Sequence, residues 1–555
     1  MVISSTAQVT PFHEYADDKM RLRYSHMVHG RYETWPDIAR RVVHSLCRDT
    51  TVTPYMIVPN DIQAAMVDMI CQRKFIPGGR ILSQAGRPYH QTDNCYTLRA
   101  EDSREGWADL AHKCTMMFMS GGGVGVDYSN IRAYGRPLSR SGGIASGPLP
   151  LMEMVNSIAA AVRQGGERRG ACYASLQYDH DDIHDFIQMK EVAGALQHTN
   201  ISVRFDKQFE ADMSHNNACR EVPATSVFME TLRHACQYGD PGFQFDWDDQ
   251  VLRNACTEII SNKDSDSCCI GSINLAAISS LQELSDVTNL GILFLLCNTL
   301  YTDFPTDMVE KVKEQNRRLG LGLMGIAEWF MQRGLPYGHT AIDDTYYASG
   351  YGGLHISNWL RTWQQQSDNA ALYWSNKLSI NCPVATRAIA PTGTISILGH
   401  TTPGIEPVFH TAYQRTTNTL KTKDYADGYK REVVVDPIVH KWMEQGYDVA
   451  DIDTAYTLSQ TTSGIDRRLA FQAYVQQFVD NAISSTVNLP PYVDGFEQSI
   501  APILLKYLPQ LRGVTFYPDG RHSNQPVTPI DIADIDMFQQ TLDQGPTCSN
   551  GECGL

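Results

Sequence analysis

The chain of 555 residues lacks a long apolar run. Its longest uninterrupted stretch, near Leu290–Cys297, falls far short of the roughly 18 residues a membrane span needs, and Gly291 within it suits a packed core helix. It also lacks positive charge: 46 Lys and Arg face 62 Asp and Glu, a formal net charge of −16. Phosphate affinity is built from Lys and Arg, so this balance argues against a general nucleic-acid or membrane-surface binder. A nucleotide site, which needs only a few local donors, stays open. Met1-Val2-Ile3-Ser4-Ser5 leads into polar residues with no basic and apolar leader, so no signal peptide is expected. No Cys-x2-Cys pair is matched by a second one or by a His pair, so no metal site is expected. Neither an internal repeat nor a low-complexity tract is present. Fourteen cysteines without a secretion signal read as reduced thiols in a cytoplasm, the host's if the protein is viral.

What is present describes a globular protein with ample core, 42% hydrophobic and 19% charged. Its length allows several domains or one large α/β barrel with appended segments. Residues 1–74 read as helical. One helix starts at Trp35-Pro36, with Pro in the first turn, and another runs over Asp61–Ile70 behind an Asn60 cap. Residues 75–535 alternate short β-branched runs with helical patterns, which favours α/β with a parallel-type sheet. Val124–Tyr128, Ile201–Phe205 and Thr486–Leu489 read as strands, and Ala470–Val479 as a helix. Residues 536–555 turn polar and Gly-rich, as a flexible tail would. Cys47, Cys71, Cys114, Cys172, Cys236, Cys297 and Cys382 sit among apolar neighbours and read as small hydrophobes.

The chemistry gathers at Asn254, Cys256 and Glu258. An amide, a thiol and a carboxylate at i, i+2 and i+4 share one face if the segment is extended. Cys268 and Cys269 follow, ahead of Gly271-Ser272-Ile273-Asn274-Leu275, and Cys548 and Cys553 lie near the carboxyl end. A dithiol on a tail does not staple a core; it suggests a carrier of reducing equivalents.

This set resembles the ribonucleotide reductases. The likeness spans most of the chain from about Phe75, and recurs in Asn94-Cys95-Tyr96, Pro391-Thr392-Gly393-Thr394-Ile395-Ser396, Gly404-Ile405-Glu406-Pro407 and Ser485–Pro490. It implies a ten-stranded α/β barrel with a finger loop carrying Cys256 to its centre, a short helical N-terminal region and a flexible redox tail. It also implies a phage-type layout without the ATP-cone. Cys256 then matches the thiyl position, Glu258 the base for the 3′-hydroxyl proton, and Asn254 a group that orients the sugar. Cys95 and Cys268 match the pair oxidised at each turnover. Cys268 is preferred over the adjacent Cys269 by its distance to the Gly-Ser-Ile-Asn-Leu segment, although relatives carry Asn at the second position. Cys548 and Cys553 would reload that pair by thiol exchange, drawing on a thioredoxin- or glutaredoxin-like reductant.

Thr392, Gly393, Thr394 and Ser396 offer hydroxyls and close backbone approach for substrate phosphates. Ser120–Gly125 superficially suggests a dinucleotide loop, but it lacks the βαβ context and reads as a tight turn. The loop Gln164–Gly170 resembles the segment that reports a bound dNTP or ATP effector, with Gln164 and Arg168 at base-reading positions. Asp102 matches the effector ribose contact, and Arg132 and Arg140 flank an effector-phosphate loop. Phe516-Tyr517-Pro518 departs from the paired tyrosines of class I large subunits and looks like class II, in which adenosylcobalamin supplies the radical. The terminal Cys-x4-Cys resembles class I tails, so a class I large subunit needing a metal-bearing partner is the alternative. A thiol-rich nucleotide sensor is a third reading, which the complete Asn254, Cys256 and Glu258 set opposes. A monomer and a homodimer are both compatible with the sequence.

Overall fold

The computed structural model describes residues 12–48, 58–139, 142–164, 168–192, 194–215, 223–340, 355–418, 429–444, 446, 448–449, 452–520, 527–531 and 534. Arg140, Cys548 and Cys553 lie outside them; Gln164 and Arg168 are described in their backbone only.

Ten strands build the main sheet: β1 (Phe75–Pro77), β2 (Cys95–Arg99), β3 (Gly123–Asp127), β4 (Cys172–Gln177), β5 (Thr199–Asp206), β6 (Gly242–Asp246), β7 (Asp266–Asn274), β8 (Leu319–Met324), β9 (Thr486–Leu489) and β10 (Gly513–Pro518). Their order is β8-β7-β2-β3-β4-β5-β6-β10-β9, with β1 paired to β7. Strands β2 to β6 run parallel to one another. At both ends the direction reverses, because β7 is antiparallel to β2 and β10 is antiparallel to β6. The pairs β7–β8 and β9–β10 are again parallel. One further segment links β8 to the residues before β9. Arg387 bridges Leu321 of β8, and Ile389 bridges Ile483, both in parallel sense.

Helices cover these strands, as is usual for parallel sheets, and all nine residues of β7 are buried although four of them are polar. One core packs the helices Trp35–Arg48, Asn60–Cys71, Leu281–Tyr301 and Ile356–Leu378 against β1, β7 and β8. A second lies around β2 to β6 with the helices Arg104–Met119, Leu149–Ala161, Ala224–Tyr238, Thr462–Gln476 and Phe496–Tyr507. The helical N-terminal region therefore shares its core with the sheet. Leu290–Cys297 belongs to the 21-residue helix Leu281–Tyr301, longer than the apolar run alone suggests. That helix is long and apolar enough to cross a membrane by composition, but 72% of its apolar window is buried in the fold.

Three local expectations need correction. The helix Asn60–Cys71 begins at Asn60 itself, with Pro59 at the N-cap, so Asn60 is not the cap. The Ser120–Gly125 segment is a turn only at its start, with Gly121 at φ +84°, because Gly123 already belongs to β3. Cys382 is exposed and Cys71 half-buried, whereas Cys47, Cys114, Cys172, Cys236 and Cys297 are buried as expected of small hydrophobes.

Candidate active site

The finger is a short hairpin. Leu252 pairs with Ser261 and Arg253 with Ile260, which leaves residues 254–259 as the tip. The tip is not extended, which corrects the strand expectation for Asn254–Glu258. The Thr257 amide donates to the Asn254 carbonyl at 3.1 Å, and Thr257 sits at φ +67°. Left-handed backbone is uncommon for a β-branched residue, so this turn is held by its surroundings. The chain reversal brings Asn254 and Glu258 together more closely than strand alternation would. Asn254 Nδ2 donates to Glu258 Oε1 at 2.9 Å, while Asn254 Oδ1 accepts from the Ile259 amide at 3.0 Å. The amide of Ala482 donates to the Glu258 carbonyl at 2.8 Å and ties the tip to the segment before β9.

Burial differs sharply along the tip. Asn254 and Glu258 are buried, whereas Cys256 is exposed and lines a cavity of about 880 Å³. Burial pushes the Glu258 carboxyl up to about 7, with the Asn254 hydrogen bond pulling the other way. Glu258 Oε2 has no hydrogen-bond partner among the described residues. A buried carboxyl that titrates near neutrality and keeps one oxygen unengaged is suited to receive a proton.

Cys95 on β2 lies directly opposite Cys268 on β7 in the antiparallel register. Directly opposed residues in such a pair have Cβ atoms roughly 4.5–5.5 Å apart, close to what a disulfide spans. Adjacent strand residues face opposite ways, so Cys268 and Cys269 part company. Cys268 packs with Ile259, Ile270, Ala388 and Ala390 on the side that receives the finger. Cys269 joins the outer core and its thiol donates to the Leu295 carbonyl at 3.5 Å. Gly123 makes room beside Cys95: a Cβ there would lie 2.8 Å from Ala255 Cβ and 3.2 Å from Cys95 Sγ. The fingertip thus abuts the wall that carries Cys95.

Burial pushes the Cys268 thiol well above the usual thiol range, its neighbour Cys269 adds to this, and the Lys313 ammonium opposes it. Burial likewise pushes Cys269 up to about 11. Lys313 Nζ lies 3.0 Å from Asp93 Oδ1, and Ser267 Oγ donates to Asp93 Oδ2 at 2.6 Å, all of them buried. Sequence reasoning passed over Asp93 and Lys313. They stand far apart in the chain, and only Asp93's place two residues before Cys95 gave any signal.

The remaining candidates divide. Gly393 and Ser396 line the Cys256 cavity. The Thr392 hydroxyl instead accepts from the Gly404 amide at 2.7 Å, and Thr394 Oγ1 accepts from Arg23 at 3.3 Å. Glu406 bonds Arg468 and accepts from the Thr486 amide at 2.9 Å, so the Gly404–Pro407 and Ser485–Pro490 motifs meet at the cavity rim. Asn200, Ser202, Asp436 and Asn488 also line the cavity and were missed. Asp436 could have been found as the cap of the helix Pro437–Glu444: its Oδ1 accepts from the Ile438 amide at 3.0 Å. Elsewhere, Arg132 Nε donates to Asp102 Oδ2 at 2.7 Å, and both line a separate cavity of about 780 Å³ with Trp107 and Ser139. Gln164 pairs with Arg168, and Arg163 with Arg169, in a two-residue antiparallel ladder.

Comparison with known proteins agrees with this architecture. The family model described as ribonucleotide reductase, barrel domain, matches residues 93–214, 198–346 and 381–503. The vitamin B12-dependent ribonucleoside-diphosphate reductase of Mycobacterium tuberculosis (strain CDC 1551 / Oshkosh) is 27% identical over 507 residues, covering 81% of this chain and 71% of that protein. A Mycobacterium phage D29 protein, named for adenosylcobalamin-dependent reduction of ribonucleoside triphosphates, is 27% identical over 577 residues, covering 85% and 78%. The ribonucleoside-diphosphate reductase large chain of Schizosaccharomyces pombe is 25% identical over 341 residues, covering 50% of this chain and 42% of its own length. A buried carboxyl beside an exposed fingertip thiol, two cysteines opposed across the neighbouring strands, and a family match over more than half of the chain lead to one conclusion: the chain belongs to the ribonucleotide reductase family.

Proposed function

We propose that this chain is an adenosylcobalamin-dependent reductase that converts ribonucleotides to 2′-deoxyribonucleotides. The observation that carries this is the fingertip itself, an exposed Cys256 joined by one turn to a buried Glu258 with an unengaged oxygen. When bound, adenosylcobalamin supplies the one-electron chemistry that makes Cys256 a thiyl. Tyr517 supports the fit: it lines the Cys256 cavity, and its buried hydroxyl has no hydrogen-bond partner among the described residues. Val408, Phe409 and Ile438 give the same cavity an apolar wall, and with Tyr517 they would hold the cofactor. The preceding residue, Phe516, carries no hydroxyl, so the paired tyrosines of class I large subunits are not present at this position.

The chain's own residues then act in order. The Cys256 thiyl takes the 3′ hydrogen of the ribose, and Glu258 Oε2 takes the 3′-hydroxyl proton, with Asn254 holding the carboxylate in place. The 2′-hydroxyl leaves as water with a proton from the Cys95 and Cys268 pair. Those two thiols close a disulfide, having supplied that proton and, with two electrons, the hydrogen that bonds to C2′; Cys256 then returns its hydrogen to C3′ and Glu258 returns the proton to the 3′-oxygen. The raised Cys268 pKa suits this, because a thiol that stays protonated can serve as the acid. Gly393 and Ser396 sit where substrate phosphates would be received, with Thr392 and Thr394 shaping the loop. Cys548 and Cys553 reload the buried pair from a thioredoxin- or glutaredoxin-like reductant. Asp102 and Arg132, with Arg140, Gln164 and Arg168, form the effector site for dNTP or ATP.

A closed ten-stranded barrel is the form this reading requires. The two isolated bridges support it, since the 387–389 segment joins the edge strand β8 to the residues that lead into β9. With that segment counted and β1 left outside the ring, two groups of five parallel strands run in opposite directions.

The test is product formation by the isolated chain with adenosylcobalamin, a small dithiol and a ribonucleoside di- or triphosphate. Turnover with wild type and none with Cys256→Ser is the expected result. Activity that requires a second, metal-bearing subunit would replace this reading with a class I large subunit.

A further inference from the structure

The finger stem is gripped by buried charge that no step above uses. Arg253, immediately before Asn254, has its guanidinium 2.6 Å from Asp246 Oδ1, with both side chains almost fully buried. The same guanidinium donates to the Phe245 carbonyl at 3.2 Å and the Gln250 carbonyl at 2.8 Å. Asp246 Oδ2 accepts from Gln244 Nε2 at 2.8 Å and lies 3.2 Å from Arg204 Nε. Arg204 in turn donates to Asp127 Oδ2 at 2.9 Å. Gln244 also donates to the Val251 carbonyl at 2.6 Å and accepts from the Tyr173 hydroxyl at 2.6 Å. The carriers stand on β3, β4, β5 and β6, and their contacts fix residues 251 and 253 of the finger. Gly125 completes the seat, because a side chain there would run into the Arg253 carbonyl.

Burying four charges is a poor way to gain stability, since desolvation consumes most of what the pairs return and apolar residues of similar size serve as well. What an alternating chain does supply is direction. A guanidinium fork bound to four acceptors, the Leu252 carbonyl at 3.4 Å among them, accepts one placement of its own backbone, and the next residue along that backbone is Asn254. We infer that Arg253, Asp246 and Gln244 are positioning residues that set the height and rotation of the fingertip, and so place Cys256 and Glu258. The inference rests on reading those two residues as the reacting groups.

Arg253→Lys tests it, because lysine keeps the charge but cannot hold Asp246, Phe245 and Gln250 together. Asp246→Asn is the second variant, which keeps the shape and removes the charge. Hydrogen exchange on the unloaded chain reads the clamp directly: amides over residues 251–260 are expected to exchange about 10- to 100-fold faster, with the rest of the protein unchanged. In the holoenzyme, the single-turnover rate is expected to fall about 100-fold while KM stays nearly constant, as for a misplaced reacting group. A folded variant with wild-type exchange at the finger, or with an intact rate, overturns the inference. So does a general loss of protection and Tm with full activity per folded molecule, which would mark the network as structural only. If wild type itself proves inactive, the ribonucleotide-reducing reading fails, yet the exchange measurement still decides the clamp.

Discussion

Glu258 offers a sharp quantitative test, because its environment fixes both where it titrates and what should move it. Burial raises its carboxyl to about 7, so the ionised fraction climbs about tenfold between pH 6 and pH 8. A base must be ionised to act, so the single-turnover rate per bound substrate is expected to rise with pH and level off above 8. The Asn254 hydrogen bond favours the carboxylate. Removing it in Asn254→Ala should therefore raise the pKa and move the midpoint to the alkaline side. A hydrogen bond to a charged group contributes roughly 1.5–3 kcal/mol, which corresponds to about 1–2 pH units. The assay uses pre-reduced protein in a single round, so that the pH dependence of an added dithiol does not enter. The stability side has its own sign. A carboxyl raised from about 4.5 to about 7 by burial stabilises the fold at acid pH, and that contribution, about 3 kcal/mol, fades as pH rises through 7. Glu258→Gln should flatten that part of the stability curve. A midpoint near 4.5 in wild type, or an acid shift in Asn254→Ala, would refute the reasoning.

Three further outcomes follow from the same geometry. Cys268→Ser should block normal product even in the first round, whereas Cys269→Ser, in the outer core, should remain active at a cost of about 1–2 kcal/mol in Tm-derived stability; the reverse pattern in single-turnover product assays would move the redox pair by one residue. Cys548→Ser or Cys553→Ser should leave one round intact and stop cycling with a protein reductant, and a small dithiol should restore it, as steady-state rates with the two reductants would show. Gly125→Ala should push against the Arg253 carbonyl, destabilise the protein by about 1–3 kcal/mol and cut the rate by about 100-fold; wild-type melting and turnover would show that the finger does not need that seat.

Much of this was readable in the chain because the signals are local. Thr486–Leu489 is a strand with the expected bounds, and Ile201–Phe205 lies inside β5. The opposite facing of Cys268 and Cys269 follows from strand alternation once β7 is recognised. The turn at the fingertip was not readable, because a left-handed Thr257 is imposed by the packing around it and a threonine gives no cue for it. Nor were the charge partners. Asp93 meets Lys313, and Asp127 meets Arg204, across separations that no local pattern encodes. Cys382 misled for a related reason: apolar neighbours in sequence need not be neighbours in space, and its thiol is exposed.

The fingertip turn reconciles two demands that one straight strand would set against each other. In the proposed reaction the base needs a dry site, since desolvation is what lifts the Glu258 carboxyl to about 7. The thiol in that reaction needs access, since it must exchange a hydrogen with the substrate. On an extended segment, residues at i, i+2 and i+4 share one face and so share one degree of burial. The turn at Thr257 separates them, sending Cys256 into the open cavity and folding Glu258 back onto the Asn254 amide. The two groups stay two residues apart in the chain while occupying different dielectric environments. That arrangement works only if the stem below the turn cannot rotate, which is why the buried Arg253 and Asp246 pair stands immediately beneath it.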